Sequence, residues 1–300
     1  MVPAMSEVPV PGAPPGAPPA APLPTRYVLF VFGDQLANHC QAWLALLTTM
    51  AHAGQPSEFV VLTDRPAYYA WFGARVATVL VSEATMRGWK GGSGFFWRMK
   101  IEAVRLAAGL GPAHLVYLDS DILARQPLAP LSAALAGGAV FMHEREFTLG
   151  ISRRRGHREL ARLLVGTTAA GAVVGADSAM WNAGVVAVGA GQLGLIDQAL
   201  ARCDDFCRSG THTLLEQIAF SITLSATGRL APASAWFDHY WGNKPGFQRS
   251  ITAQLAEMRV RSLGVDEAIA FVAAQPIRRP LMVRRRWWSR YFAGLASAND

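Results

Sequence analysis

The chain has 300 residues, 51% of them hydrophobic and 16% charged, which excludes a disordered or collagen-like protein and supplies apolar surface for a sizeable core. No run reaches the roughly 18 consecutive apolar residues that a spanning helix needs. Net charge is +7, and Arg278, Arg279, Arg284, Arg285, Arg286 and Arg290 concentrate it in one acid-free C-terminal stretch, which implies an anionic partner there.

Residues 1–24 are almost entirely Pro, Ala, Gly and Val, with no basic segment leading into an apolar run. The composition predicts a disordered tail rather than a secretory signal. From Arg26 the pattern turns globular. Tyr27 to Phe32 reads as a strand ending at Gly33-Asp34-Gln35, and Gln41 to Ala53 reads as a helix. Glu58 to Leu62 and Arg75 to Val81 are further strands, the first ending at Asp64. After Gly91-Gly92-Ser93-Gly94, a helix over Phe95 to Leu110 leads into the strand His114 to Leu118, and Ala139 to His143 and Trp181 to Val188 are strands beyond it. Between those last two lies the basic segment Arg145 to Gly175, a binding flap with a helical core at Arg158 to Leu164. Alternating strands and helices predict an α/β fold, a mainly parallel sheet flanked by helices over residues 25–275, with ligands at the carboxyl ends of the strands. Three cysteines, Cys40, Cys203 and Cys207, make an odd count that fits a reducing compartment, the cytoplasm, rather than a disulfide framework.

The strand Val116-Tyr117-Leu118 delivers two carboxylates one residue apart, Asp119 and Asp121. Hard oxygen donors at a strand end suit Mn²⁺ or Mg²⁺, and such an ion can bridge the phosphates of a nucleoside diphosphate.

With Asp119-Ser120-Asp121 in that context, the chain resembles the glycosyltransferases of the GT-A fold, more narrowly the retaining galactosyl- and glucosyltransferases of family 8. Further segments fit in order. Arg98 and Lys100 are similar to the basic positions that open the helix before the Asp-x-Asp strand, and the resemblance implies that both contact the nucleotide-sugar. Trp181-Asn182-Ala183-Gly184-Val185 is similar to an element whose asparagine faces the donor sugar or acceptor. Leu215-Glu216-Gln217 resembles the element on the reactive face of the sugar, with Glu216 in place of the usual aspartate. His239-Tyr240-Trp241-Gly242-Asn243-Lys244-Pro245 resembles a His-x-x-Gly-x-Lys-Pro element, without the tryptophan that often follows the proline.

The resemblance implies a Rossmann-like nucleotide-diphospho-sugar transferase moving a hexose, with retention, from a nucleotide-sugar, expected to be a UDP-sugar, to an acceptor hydroxyl on a glycan or lipid-linked molecule, as in lipopolysaccharide assembly. It implies Asp119, Asp121 and His239 as Mn²⁺ ligands, Lys244 and the backbone at Gly242 against the diphosphate, Asp34 near the nucleoside, and Gln217, Glu216 and Asn182 at the reacting sugar. Residues 276–300, with Trp287, Trp288, Tyr291 and Phe292 among the arginines, suit an anionic membrane surface, placing the protein peripherally on its cytoplasmic face. A non-catalytic protein binding nucleotide, lipid or nucleic acid on a degenerate transferase fold is the alternative, with stacked tryptophans the feature that suits single strands. Nucleic acid is not the expected partner. A nucleotidyltransferase, which also uses a metal at a strand end on a related sheet, is a second alternative, weakened but not removed by the lack of a basic Gly-rich phosphate loop at the first strand.

Overall fold

Apolar runs bounded by turn residues give the strands of this fold, and a computed structural model describes residues 21–282 of the chain. Residues 1–20 of the expected 1–24 tail, and residues 283–300 of the 276–300 segment expected at a membrane surface, lie outside the described residues.

In chain order the elements are β1 (Thr25–Phe30), α1 (Leu36–His52), β2 (Ser57–Thr63), a 3₁₀ segment (Pro66–Arg75), β3 (Ala77–Leu80), α2 (Glu83–Trp89), α3 (Arg98–Ala108), β4 (His114–Leu118), β5 (Ile122–Ala124) and α4 (Ala129–Ala136). There follow β6 (Val140–Met142), β7 (Arg145–Thr148), α5 (Arg155–Leu164), the short pair β8 (Thr168–Ala169) and β9 (Ala172–Val173), β10 (Ala179–Trp181), β11 (Val185–Val188), α6 (Gly194–Ser209), α7 (Leu215–Ser225), β12 (Leu230–Pro232), β13 (Phe237–His239), α8 (Lys244–Val260) and α9 (Val265–Ala274).

Seven strands form the central sheet in the order β12-β6-β11-β4-β1-β2-β3. β1 pairs in parallel with both β2 and β4, while β11 runs antiparallel between β4 and β6, so the sheet is mainly parallel as expected. The chain grows from β1 toward β3 on one side and places β4 on the other. That reversal opens a crevice at the carboxyl ends of β1 and β4. β4, which carries the Asp119-Ser120-Asp121 turn, occupies the middle of the sheet.

Side chains alternate across the strands and fill two cores. Val28, Tyr117 and Val186 face one layer with Ile101, Cys203 and Phe220, and Leu29, Leu118 and Val185 face the other with Leu44, Phe247 and Phe271. Burial on both faces explains why the strands read as near-continuous apolar runs.

One expected element divides. The run Trp181 to Val188 is not a single strand, because the Asn182 Oδ1 accepts the Gly184 N–H at 2.8 Å and turns the backbone between β10 and β11. Among the described residues, no helix is long and apolar enough to cross a membrane.

Candidate active site

Two strand pairings assemble the site. β11 runs against β4 with Val185 opposite Leu118, and the Asp119 N–H donates to the Gly184 carbonyl at 2.8 Å. β13 runs against β5 with His239 opposite Ile122, and the Tyr240 N–H donates to the Asp121 carbonyl at 3.2 Å. Register alone therefore brings the imidazole, distant in sequence, beside the two aspartates. One donor atom from each of Asp119, Asp121 and His239 falls within 4.8 Å of the others.

Asp121 is buried, with His239 Nε2 at 3.4 Å from Oδ1 and Lys244 Nζ at 2.9 Å from Oδ2. Burial works to raise its carboxyl; the His239 and Lys244 contacts outweigh burial and hold it well below the usual carboxylate range. Asp119 accepts from the Tyr117 hydroxyl at 2.9 Å and from Lys100 Nζ at 3.1 Å. Burial, reinforced by Asp119, pushes the Tyr117 phenol far up, so it remains a donor.

The hydrogen bonds behind the histidine fix its tautomer. Asn182 Oδ1 accepts from the Gly184 N–H, and its Nδ2 donates to Glu146 Oε1 at 2.9 Å, so the amide orientation is settled by a group that can only donate and one that can only accept. His239 Nδ1, 2.8 Å from that same oxygen, therefore carries the hydrogen. Nε2 is then the ring nitrogen directed at the Asp121 carboxylate. Two carboxylates with an imidazole held from behind are a donor set that suits a divalent cation. Gly184 is required beside this ring, because a Cβ there would fall on the His239 Nδ1 and Cε1 atoms.

These groups line a cleft of about 1150 Å³. Of the residues singled out from sequence, Lys100, Asp119, Asp121, Asn182, Glu216, Gln217, His239 and Lys244 all line it. Glu216 is 4% exposed and lies at the floor, with Lys100 Nζ 3.1 Å from its Oε1, in contact but out of line for a hydrogen bond. Burial pushes its carboxyl up, and Lys100 partly offsets that. Lys100, between Asp119 and Glu216, is a buried cation whose lysine stays charged through those two carboxylates against its own burial.

Three expected ligand residues do not line the cleft. Arg98 does not point into the cleft. Its guanidinium is a bidentate partner of Asp204 on α6, at 2.6 and 3.1 Å, and reaches Glu102 at 2.7 Å on its own helix, so it fastens α3 to α6. Asp34 is exposed and held by Arg65 at 2.6 Å, so its carboxylate does not line the cleft although its neighbours Gly33 and Gln35 do. Gly242 lies exposed between the lining residues Trp241 and Lys244 without lining the cleft itself.

Sequence reasoning missed three contributors. Glu146 binds the Asn182 amide and, at 2.8 Å through Oε2, the Gln217 amide. Tyr117 braces Asp119 from the strand itself. Phe32, Phe96 and Trp97 form an aromatic wall at the β1 end, with ring centroids 6.0 Å apart for Phe32–Phe96 and 5.1 Å for Phe96–Trp97. The aromatic cluster was legible as Phe95-Phe96-Trp97 after the glycine loop; Glu146 carried no signal beyond being one acid in His143-Glu144-Arg145-Glu146.

No protein-family model matches the chain, and no curated protein matches it. Among solved structures it is similar to the galactosyltransferase LgtC in complex with donor and acceptor sugar analogues, at 16% identity, covering 91% of this chain and 95% of that one with a TM-score of 0.45. It is similar also to mouse xyloside xylosyltransferase 1 in its apo form, at 10% identity, covering 70% of this chain and 85% of that one with a TM-score of 0.45. The apo bifunctional glycosyltransferase WbbM is similar at 11% identity, with 72% of this chain and 40% of that chain covered and a TM-score of 0.45.

Proposed function

We propose that the chain is a metal-dependent glycosyltransferase that moves a hexose from a UDP-sugar to a hydroxyl of a glycan or lipid-linked acceptor, with retention of configuration. The observation that carries this reading is the convergence of Asp119, Asp121 and His239 at the carboxyl end of the central strand, with Asn182 holding the imidazole from behind. Asp119, Asp121 and His239 would hold a divalent cation, which when bound neutralises charge on a departing diphosphate.

The chain's own residues account for the remaining tasks. Lys244, half exposed at the cleft wall, offers an ammonium to the phosphates as a mobile point charge. Phe32, Phe96 and Trp97 offer flat apolar faces for a nucleobase at the strand-order reversal. Lys100 keeps Asp119 and Glu216 from repelling each other. Glu216 is buried against Lys100 and serves to hold that cation, whereas the Gln217 amide faces the reacting sugar. In a same-face attack the acceptor oxygen bonds to the anomeric carbon as the sugar–phosphate bond breaks, and the departing phosphate oxygen takes the acceptor proton.

Incubating the protein with a panel of nucleotide-sugars, with and without Mn²⁺, and measuring released nucleoside diphosphate tests the reading, since water serves as a poor acceptor. Metal-dependent release from one donor, abolished in Asp121→Ala, is expected. Failure to release or bind any nucleoside diphosphate in the presence of Mn²⁺ would remove the proposal.

A further inference from the structure

Glu146 is an exposed carboxylate in the cleft with no lysine or arginine at ion-pair distance among the described residues. Its two oxygens are instead occupied by two amides, Asn182 Nδ2 at 2.9 Å on Oε1 and Gln217 Nε2 at 2.8 Å on Oε2. A primary amide has the same shape either way round but opposite hydrogen-bonding ends, and a carboxylate has acceptors alone. Facing a carboxylate, each amide must present its NH₂ and turn its oxygen away.

The two amides are not equally anchored. The Asn182 oxygen is held independently by the Gly184 N–H and His239 Nδ1, both at 2.8 Å. The Gln217 oxygen has only the Ala183 N–H, at a long 3.5 Å. Asn182 therefore fixes Glu146, and Glu146 in turn decides which end of Gln217 enters the cleft. We infer that Glu146 is a positioning residue, setting the Gln217 amide through a relay His239–Asn182–Glu146–Gln217 that ties the reacting-sugar side of the cleft to the metal-ligand side. The consequence for catalysis rests on the transferase reading above; the hydrogen-bond relay does not.

The backbone explains how β7 supplies this carboxylate. β7 pairs antiparallel with β10, Trp181 lies opposite Arg145, and the register slips between Met180 and Trp181. The Asn182 N–H then donates to the Glu144 carbonyl at 2.8 Å, which sets the Asn182 amide against the β7 strand at Glu146. Ser221, on α7, donates its hydroxyl to the Gln217 carbonyl at 2.7 Å and accepts the Trp181 N–H at 2.9 Å, locking the Gln217 turn of α7 against β10.

Glu146→Gln keeps the shape and gives one acceptor and one donor. The acceptor goes to the well-anchored Asn182, and Gln217 must rotate to offer its oxygen to the new NH₂. The expected result is a fall in kcat of roughly 10-fold to 100-fold, the usual cost of losing an orienting partner, with donor KM and Mn²⁺ affinity by isothermal titration each within about twofold of the parent. A second series reads the relay without turnover. Gln217→Glu sets two carboxylates face to face and is expected to lower Tm by about 4 °C or more, and adding Glu146→Gln restores a donor–acceptor pair and recovers most of that loss. Turnover in Glu146→Gln within twofold of the parent, a loss that tracks weakened Mn²⁺ binding, or no Tm recovery in the double variant would each overturn the inference. If the parent protein turns over no donor, the transferase reading falls, and the Tm series still decides the pairing.

Discussion

On the side of the cleft built from β4, β5 and β13, the carboxylates are paired, Asp119 with the Tyr117 hydroxyl and Asp121 with Lys244 at the start of α8. On the side built from β7 and the start of α5, Arg153 and Arg154 carry no ion pair among the described residues, and Arg145 reaches only the Thr148 hydroxyl at 2.8 Å. The first side is preorganised, so charged ligands meet groups that need no rearrangement. The second is an exposed rim whose long side chains keep their rotamer freedom and can adapt to an acceptor. The contrast separates the hydrogen-bonded groups that the proposed chemistry uses, Glu146 of β7 among them, from the unpaired rim arginines that would follow the acceptor.

The sharpest way to break that contrast is Lys100→Met. It leaves Glu216 buried beside Asp119 without its cation, and removing one partner of a buried pair costs about 3–5 kcal/mol. Urea unfolding is expected to show that loss, and Lys100→Met with Glu216→Gln should recover most of it; a midpoint equal to the parent's would show that the floor is not organised by Lys100.

Asp121→Asn comes next, with metal-dependent nucleotide release reduced at least about 100-fold, near 2.7 kcal/mol. Its pH signature has a defined sign. The parent carboxyl is held below its ordinary value of 3.8, so its contribution to stability is present above that pH and is lost as pH falls through the folded-state value. The acid limb of stability against pH should therefore be shallower in the variant.

Gly184→Ala pushes His239 off the Asn182 oxygen, and Mn²⁺ affinity by titration is expected to drop about 10-fold, close to 1.4 kcal/mol. The smallest effect belongs to the rim: Arg154→Ala should change stability by less than about 0.5 kcal/mol and leave donor hydrolysis in water at the parent rate. A large loss of donor hydrolysis there would mean that the rim belongs to the nucleotide site.

The preorganised side was also the legible one. Asp119, Asp121, Asn182, His239 and Lys244 sit in short local patterns, and strand ends deliver such patterns directly into a crevice. Arg98 was misplaced because its partners are Glu102, one turn away, and Asp204, on a helix more than a hundred residues downstream; no local pattern distinguishes a cation that fastens two helices from one that meets phosphate. Asp34 stands beside the cleft rather than in it because its carboxylate is taken by Arg65, which follows β2 and is a partner that the Gly-Asp-Gln turn does not show by itself. Glu146 acquires meaning only through a register slip between β7 and β10, a property of pairing that neither strand shows alone.

The β5–β13 ribbon has a consequence for how the protein matures. It joins His239 to Ile122 across more than a hundred residues, so the imidazole meets the aspartates only through a contact of high sequence separation. Such a long-range pairing is expected to form late and slowly. A chain emerging from the ribosome displays both carboxylates long before His239 can join them, so the cation site proposed above would be a property of the finished fold.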